Sequence, residues 1–305
     1  MNLNNLLTMQ GELILLMLLG YFLTERGMIR KEHKGFLTDL VVNVTLPCSI
    51  MKSFDVPFDE HILTLGGLMV VMNALVLGGS FLLSKICFRR YGEDQRKVLE
   101  YATIVSNAGI LGNPVAEGAF GDMGLLYASI YLIPQRIFMW SVGISMFTGK
   151  TADKKELVRK VVTHPCIVAV GIGLVLMLTP LTLPGMLGAS VKALASSNTA
   201  LSMLLVGSLL GGVKLREMID RDSLFYSAVR LFVIPGITLA LCKLTRVDAL
   251  AAGVVVLLTA MPAASTTAVL SAKYGRDARL ASRLVALSTV LSVVTAPLWL
   301  LLFTV

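Results

Sequence analysis

Apolar residues in this chain come in long runs separated by short polar segments. About 20 residues are needed to cross the hydrocarbon core of a bilayer, and on that measure ten spans are predicted. They fall at 6–23, 36–54, 62–88, 98–120, 123–147, 161–178, 194–213, 224–242, 249–272 and 284–303. The second and seventh are the least apolar, and no stretch long enough for a soluble domain remains between them. The pattern predicts an all-α polytopic membrane protein.

Two of these runs carry polar and helix-breaking residues where a span should be most apolar. In the fourth, YATIVSNAGILGNPVAEGAF (101–120), Ser106, Asn107, Gly109, Gly112, Asn113 and Pro114 interrupt the middle. Pro114 has no amide hydrogen and clashes with the carbonyl four residues back, yet it suits the first turn of a new helix. One span is therefore expected to become two half-helices, with the division at this proline. The ninth run holds a matching interruption, Thr259 to Thr267, with Pro262 inside it. Free backbone at membrane depth is tolerated only where protein buries it or a watery cavity solvates it. A pair of interrupted spans at corresponding places in two halves points to a transporter's binding site.

The composition, 55% hydrophobic and 15% charged over 305 residues, fits no ordinary soluble globule. The net charge of +8 does not imply nucleic acid, because the basic residues sit in short clusters between apolar runs. They mark topology instead. Most of the 27 Lys and Arg fall in the odd-numbered loops, such as Arg26, Arg30, Lys31 and Lys34, or Lys154, Lys155, Arg159 and Lys160. Cytoplasmic loops hold such an excess, so both termini are expected on the extracytoplasmic side of the inner or plasma membrane. The first run has its basic residues after it rather than before it, which is the wrong order for a cleaved signal peptide.

The charged segment 148–160 divides the ten spans into five and five, and an odd number in each half inverts the second relative to the first. Each half has a broken fourth span, a tight turn (Phe120-Gly121-Asp122 or Tyr274-Gly275-Arg276-Asp277) and a long fifth span. Two inverted five-helix repeats, with broken fourth and ninth helices that cross, are the expected architecture.

Candidate site residues follow from the breaks. Asn107 and Asn113 can donate and accept, which suits a carboxylate whose charge is partly met by a helix N-terminus. Their alternative role is to tie up backbone freed by the break. Ser265 and Thr266 are the hydroxyl donors of the second half, and Pro114 and Pro262 shape the site. Arg136, midway along the fifth span, is expected to face a cavity as a counter-charge or to pair with Glu117. Arg230 lies close enough to one end of its span to snorkel. Asn43 and Pro47, like Asn198 and Thr199, are polar positions that either line the substrate path or pack helices together. Gly207 and Gly211 permit close helix approach, within the chain or in a dimer. The four cysteines, Cys48, Cys87, Cys166 and Cys242, read as small core residues, and Trp140 and Trp299 as interface or packing anchors. There is no nucleotide loop, no His-Glu-x-x-His and no Gly-x-Ser-x-Gly, so no catalytic residue, metal site or cofactor is expected and enzyme function is not.

The chain resembles the auxin efflux carrier family. The resemblance rests on Gly20-Tyr21-Phe22-Leu23, Leu46-Pro47-Cys48-Ser49-Ile50, Ser106-Asn107-Ala108-Gly109 through Gly112-Asn113-Pro114, Gln135 to Ser141, Met261-Pro262-Ala263-Ala264 and Tyr274-Gly275. It covers nearly the whole chain, without the long central loop of the longer plant members. It implies a scaffold of the first, second, sixth and seventh spans (1–60 and 161–213) and a moving part made of the others (61–147 and 214–305). It also implies export of small organic anions such as carboxylates or auxin-like acids and, in many members, a homodimer. The alternatives are a sodium- or proton-coupled symporter of the bile-acid-symporter type and a gated anion channel.

Overall fold

The computed structural model of the protein describes residues 3–149, 154–179, 181–212 and 218–303. Among these the chain is helical, with one isolated antiparallel bridge and no strand. Six helices are long and apolar enough to cross a membrane, and a bent pair, Lys155–Val162 with Pro165–Leu178, would make a seventh. The sequence predicts ten, and the difference lies in three places. Residues 31–53 begin with a polar helix, while 93–120 and 249–273 are each cut in two by a break.

In chain order the helices are α1 (Leu3–Glu25), α2 (Lys31–Leu40), α3 (Leu46–Ser53), α4 (Glu60–Cys87), α5 (Glu93–Ile104), α6 (Asn113–Tyr131), α7 (Ile133–Phe138) and α8 (Ile144–Thr148). After residues 150–153, the part of the charged linker that lies outside the described residues, come α9 (Lys154–Val162), α10 (Pro165–Leu178), α11 (Gly185–Leu210), α12 (Arg221–Ala228) and α13 (Ile234–Leu244). The chain ends with α14 (Ala249–Thr259), α15 (Thr266–Lys273) and α16 (Ala278–Leu300). The latter part of the predicted linker is thus helix rather than loop. Inside α6, Gly121 has φ +68°, a left-handed conformation that a side chain would strain. It makes the turn expected at Phe120-Gly121-Asp122.

Three prolines inside continuous helical runs each follow a widened turn, whereas Pro297 in α16 sits in an unwidened helix. Val41–Thr45 precedes Pro47, Ala108–Gly112 precedes Pro114, and Val229–Val233 precedes Pro235. In each the amide one residue before the proline bonds five residues back, Asn113 to Ala108 O for example. The wider turn accommodates the carbonyl that the ring would otherwise meet. Pro114 therefore does not divide the fourth run as expected; the break lies at Val105 to Asn107, ahead of it.

Packing is closest between α1 and α11. A Cβ on Gly207 would lie 1.8 Å from the Met17 carbonyl oxygen, and one on Gly20 would lie 2.1 Å from that of Leu204. Gly211 similarly faces Thr24 at 2.5 Å. The small residues at 207 and 211 serve this crossing within the chain. On the same side α3 packs on α10 and α11, with Asn198 buried and accepting from Thr45 at 3.2 Å. Elsewhere α6 packs on α14, α3 and α4, and α16 on α12 and α15.

Candidate substrate site at the helix crossing

The two interruptions meet. At Val105 the chain becomes extended, and Ser106 lies opposite Ala263 in an antiparallel bridge. The Asn107 amide donates to the Pro262 carbonyl at 2.8 Å, and the Ala264 amide donates to the Val105 carbonyl at 3.2 Å. Backbone groups released by each break are thereby partly satisfied by the other. Gly112 lets the crossing close, since a Cβ there would come 2.7 Å from Leu258 Cδ2.

Side chains from four other elements secure what the bridge leaves over. Gln135 of α7 donates to the Ser106 carbonyl at 2.9 Å and accepts from the Ser106 hydroxyl at 3.1 Å. Tyr226 of α12 donates to the Ala102 carbonyl at 2.8 Å, and Ser288 of α16 accepts from the Ala263 amide at 3.2 Å. Arg230, in the turn after α12, donates through Nε to Met261 O and through Nη1 to Thr103 O, both at 3.0 Å. It does not snorkel: it is 2% exposed and spans the two breaks. Carbonyls stripped of helical partners need donors, and the guanidinium fork supplies several at fixed geometry.

A cavity of about 1280 Å³ opens beside the crossing. Ser106, Asn107, Ser265 and Thr266 border it from the broken segments, and Gln135, Arg136 and Trp140 from the run that follows α6. Asn43 and Val206 lie on the wall contributed by the elements packed with α1 and α11, and Arg30, Lys34 and Lys160 are among its basic lining residues. Thr266 Oγ1 is 3.1 Å from the Tyr101 hydroxyl. Arg136 is 94% buried; its Nη1 donates to Ser129 O at 3.3 Å, and its Nη2 has no protein partner. Glu117 is not its counter-ion but faces Lys52 at 3.8 Å, with Asp122 on the same lysine at 3.1 Å.

Five of the predicted site residues, Asn107, Arg136, Ser265, Thr266 and Asn43, therefore border one cavity. Asn113, Pro114 and Pro262 do not. Pro262 acts through its carbonyl in the bridge. Asn113 opens α6 past the widened turn, fully buried, with neither side-chain amide atom bonded to protein. The sequence reading missed Gln135 and the role of Arg230. A signal for the first was present, because a polar amide beside a mid-span arginine is unusual in an apolar run. Trp299 donates to Leu231 O at 2.8 Å and is a packing anchor. Among the described residues no group of three or more His, Cys, Asp and Glu could hold a metal ion.

Comparison with known proteins places the chain. It is 28% identical over 290 residues to an uncharacterised transporter of Methanothermobacter thermautotrophicus, covering 94% of each chain. It is 25% identical over 296 residues to another uncharacterised transporter, from Methanocaldococcus jannaschii, covering 94% of this chain and 95% of that one. Both are named as transporters, not enzymes. The sequence profile described as membrane transport protein matches residues 10–300, and the chain belongs to that family, the auxin efflux carrier family it resembles.

Proposed function

We propose that the protein is a secondary carrier of small organic anions, binding them at the crossing of the two broken helices. The observation that carries this reading is the cavity itself. Crossed backbone segments, Ser106, Asn107, Ser265, Thr266 and Arg136 border one space. Neutral donors and one cation can hold a carboxylate without fixing it, and a carrier must also release. In this reading the chain crosses the cell membrane ten times, as two inverted five-helix repeats with both termini outside. The packed group of α1, α3, α10 and α11 is the scaffold, and the elements carrying the breaks move past it as an elevator. Glu117, already beside Lys52, is poorly placed to bind a coupling cation at the crossing.

The test is transport by the purified protein in sealed vesicles, using small carboxylates chosen by their stabilisation of the folded state. Saturable uptake, accelerated by unlabelled anion on the opposite side, is expected. Flux that neither saturates nor shows counterflow would indicate a channel. No flux with any organic anion, alongside robust binding of a neutral or cationic solute, would overturn the reading.

A further inference from the structure

The segment between the two halves of the chain contains a short helix with the pattern of a membrane-surface anchor. In α9, Lys154–Val162, successive side chains are about 100° apart around the axis. Leu157 and Val161 fall on one side and are half-buried. Past the position of Lys154, in the first turn, come Val158 and Val162, and Lys155 and Arg159 lie beyond them. The protein leaves the two valines 57% and 60% exposed, so the apolar face runs on past the edge of the fold and borders two cations. The remaining face carries Glu156 and Lys160, paired at 2.7 Å, with Lys160 also bordering the cavity.

Orientation points the same way. Across Thr163 and His164 the chain bends by 59° into Pro165–Leu178, which is apolar throughout. If that helix enters the bilayer, α9 lies nearer the membrane plane than the membrane normal, at the level where the apolar core begins. A helix with an exposed apolar edge flanked by Lys and Arg, held at that depth, sits with its apolar face at the acyl boundary and its cations among headgroups.

We propose that α9 is an anionic-phospholipid anchor, with Val158 and Val162 entering the acyl boundary and Lys155 and Arg159 binding lipid phosphates. The occupant is a lipid surface rather than a protein partner. The charge is complementary to anionic headgroups, and the helix adjoins an apolar helix that places it at a bilayer. The anchor restrains the connection between the two halves, whatever the cargo is.

Two measurements test it. Nitroxide labels placed singly at 155, 158, 159 and 162, in a variant lacking the four cysteines, are reconstituted in mixed phosphatidylcholine and phosphatidylglycerol vesicles. Relaxation at 158 and 162 is expected to be dominated by oxygen, and at 155 and 159 by a water-soluble nickel chelate. Equal nickel access at all four sites would overturn the proposal, as would burial of all four away from both reagents, the sign of a protein partner. The second measurement keeps the native cysteines. Each basic residue near an anionic surface contributes roughly fivefold to association, so Lys155→Glu with Arg159→Glu is expected to lower the preference for spin-labelled phosphatidylglycerol over phosphatidylcholine at least fivefold. An unchanged preference in the folded double variant would also overturn it.

Discussion

Ser106 and Gln135 hold each other twice: the glutamine amide donates to the Ser106 carbonyl at 2.9 Å and accepts from the Ser106 hydroxyl at 3.1 Å. The first contact replaces a helical partner that the break removed, and both lie at the wall of the cavity. Gln135 thus fixes the extended residue that pairs with Ala263 in the other half.

Gln135→Leu is expected to weaken anion binding and to destabilise the fold by about 1–3 kcal/mol, the cost of leaving a buried acceptor unpaired. Gln135→Glu is expected to bind anions more weakly still, because an ionised carboxylate cannot donate to the carbonyl and adds negative charge to the cavity. Calorimetry on folded protein checks both. Wild-type affinity in Gln135→Glu would place the anion away from this wall.

Arg230 makes the stability prediction at the crossing. Its two bonds reach carbonyls from both breaks, so Arg230→Met strips two buried acceptors, at about 1–3 kcal/mol each. Arg230→Gln retains one donor group and is expected to unfold at a temperature between that of Arg230→Met and wild type. Identical unfolding temperatures for the two variants would show that the bonds to Met261 and Thr103 are not what Arg230 contributes.

The existence of the breaks was readable from residue types, and their meeting was expected from reading the two interrupted spans as corresponding parts of inverted repeats. Their position was not readable. Pro114 is the obvious breaker in 101–120, but the widened turn Ala108–Gly112 lets the helix run through it, and the chain instead opens at Val105 to Asn107. That choice depends on donors from elsewhere, since Gln135, Tyr226 and Arg230 receive the carbonyls exposed there. Arg230 illustrates the limit. Its distance from the end of a span suggests snorkelling, and only the fold brings Thr103 O and Met261 O to it. Asn107 and Asn113 look equivalent in sequence, six residues apart around one motif, but the turn between them sends one to the cavity and the other into the packing.

The α1–α11 crossing gives a prediction with an internal control. Gly207→Ala places a methyl group within 1.8 Å of the Met17 backbone oxygen, and backbone cannot swing aside as a side chain can. The variant is expected to lose folded yield or several degrees of unfolding temperature, as overpacking costs about 1–3 kcal/mol or more. Gly171→Ala, where a Cβ would meet nothing within 4 Å, is expected to behave as wild type. Equal effects would mean that α1 and α11 are not held at this distance in the membrane.

The two asparagines provide the sharpest test of where the anion binds. Asn107 borders the cavity beside Ser106, with its backbone amide committed to Pro262 and its side chain at the crossing. A hydrogen bond to a charged group is worth about 1.5–3 kcal/mol, so Asn107→Ala is expected to raise the dissociation constant of a bound carboxylate by roughly tenfold to a hundredfold. Asn113 is fully buried and does not border the cavity, so Asn113→Ala is expected to leave that constant unchanged. Titrating both folded variants with the same carboxylate separates the roles. Loss of affinity in Asn113→Ala with none in Asn107→Ala would move the substrate to the other end of the widened turn, into a space that this arrangement of helices closes off.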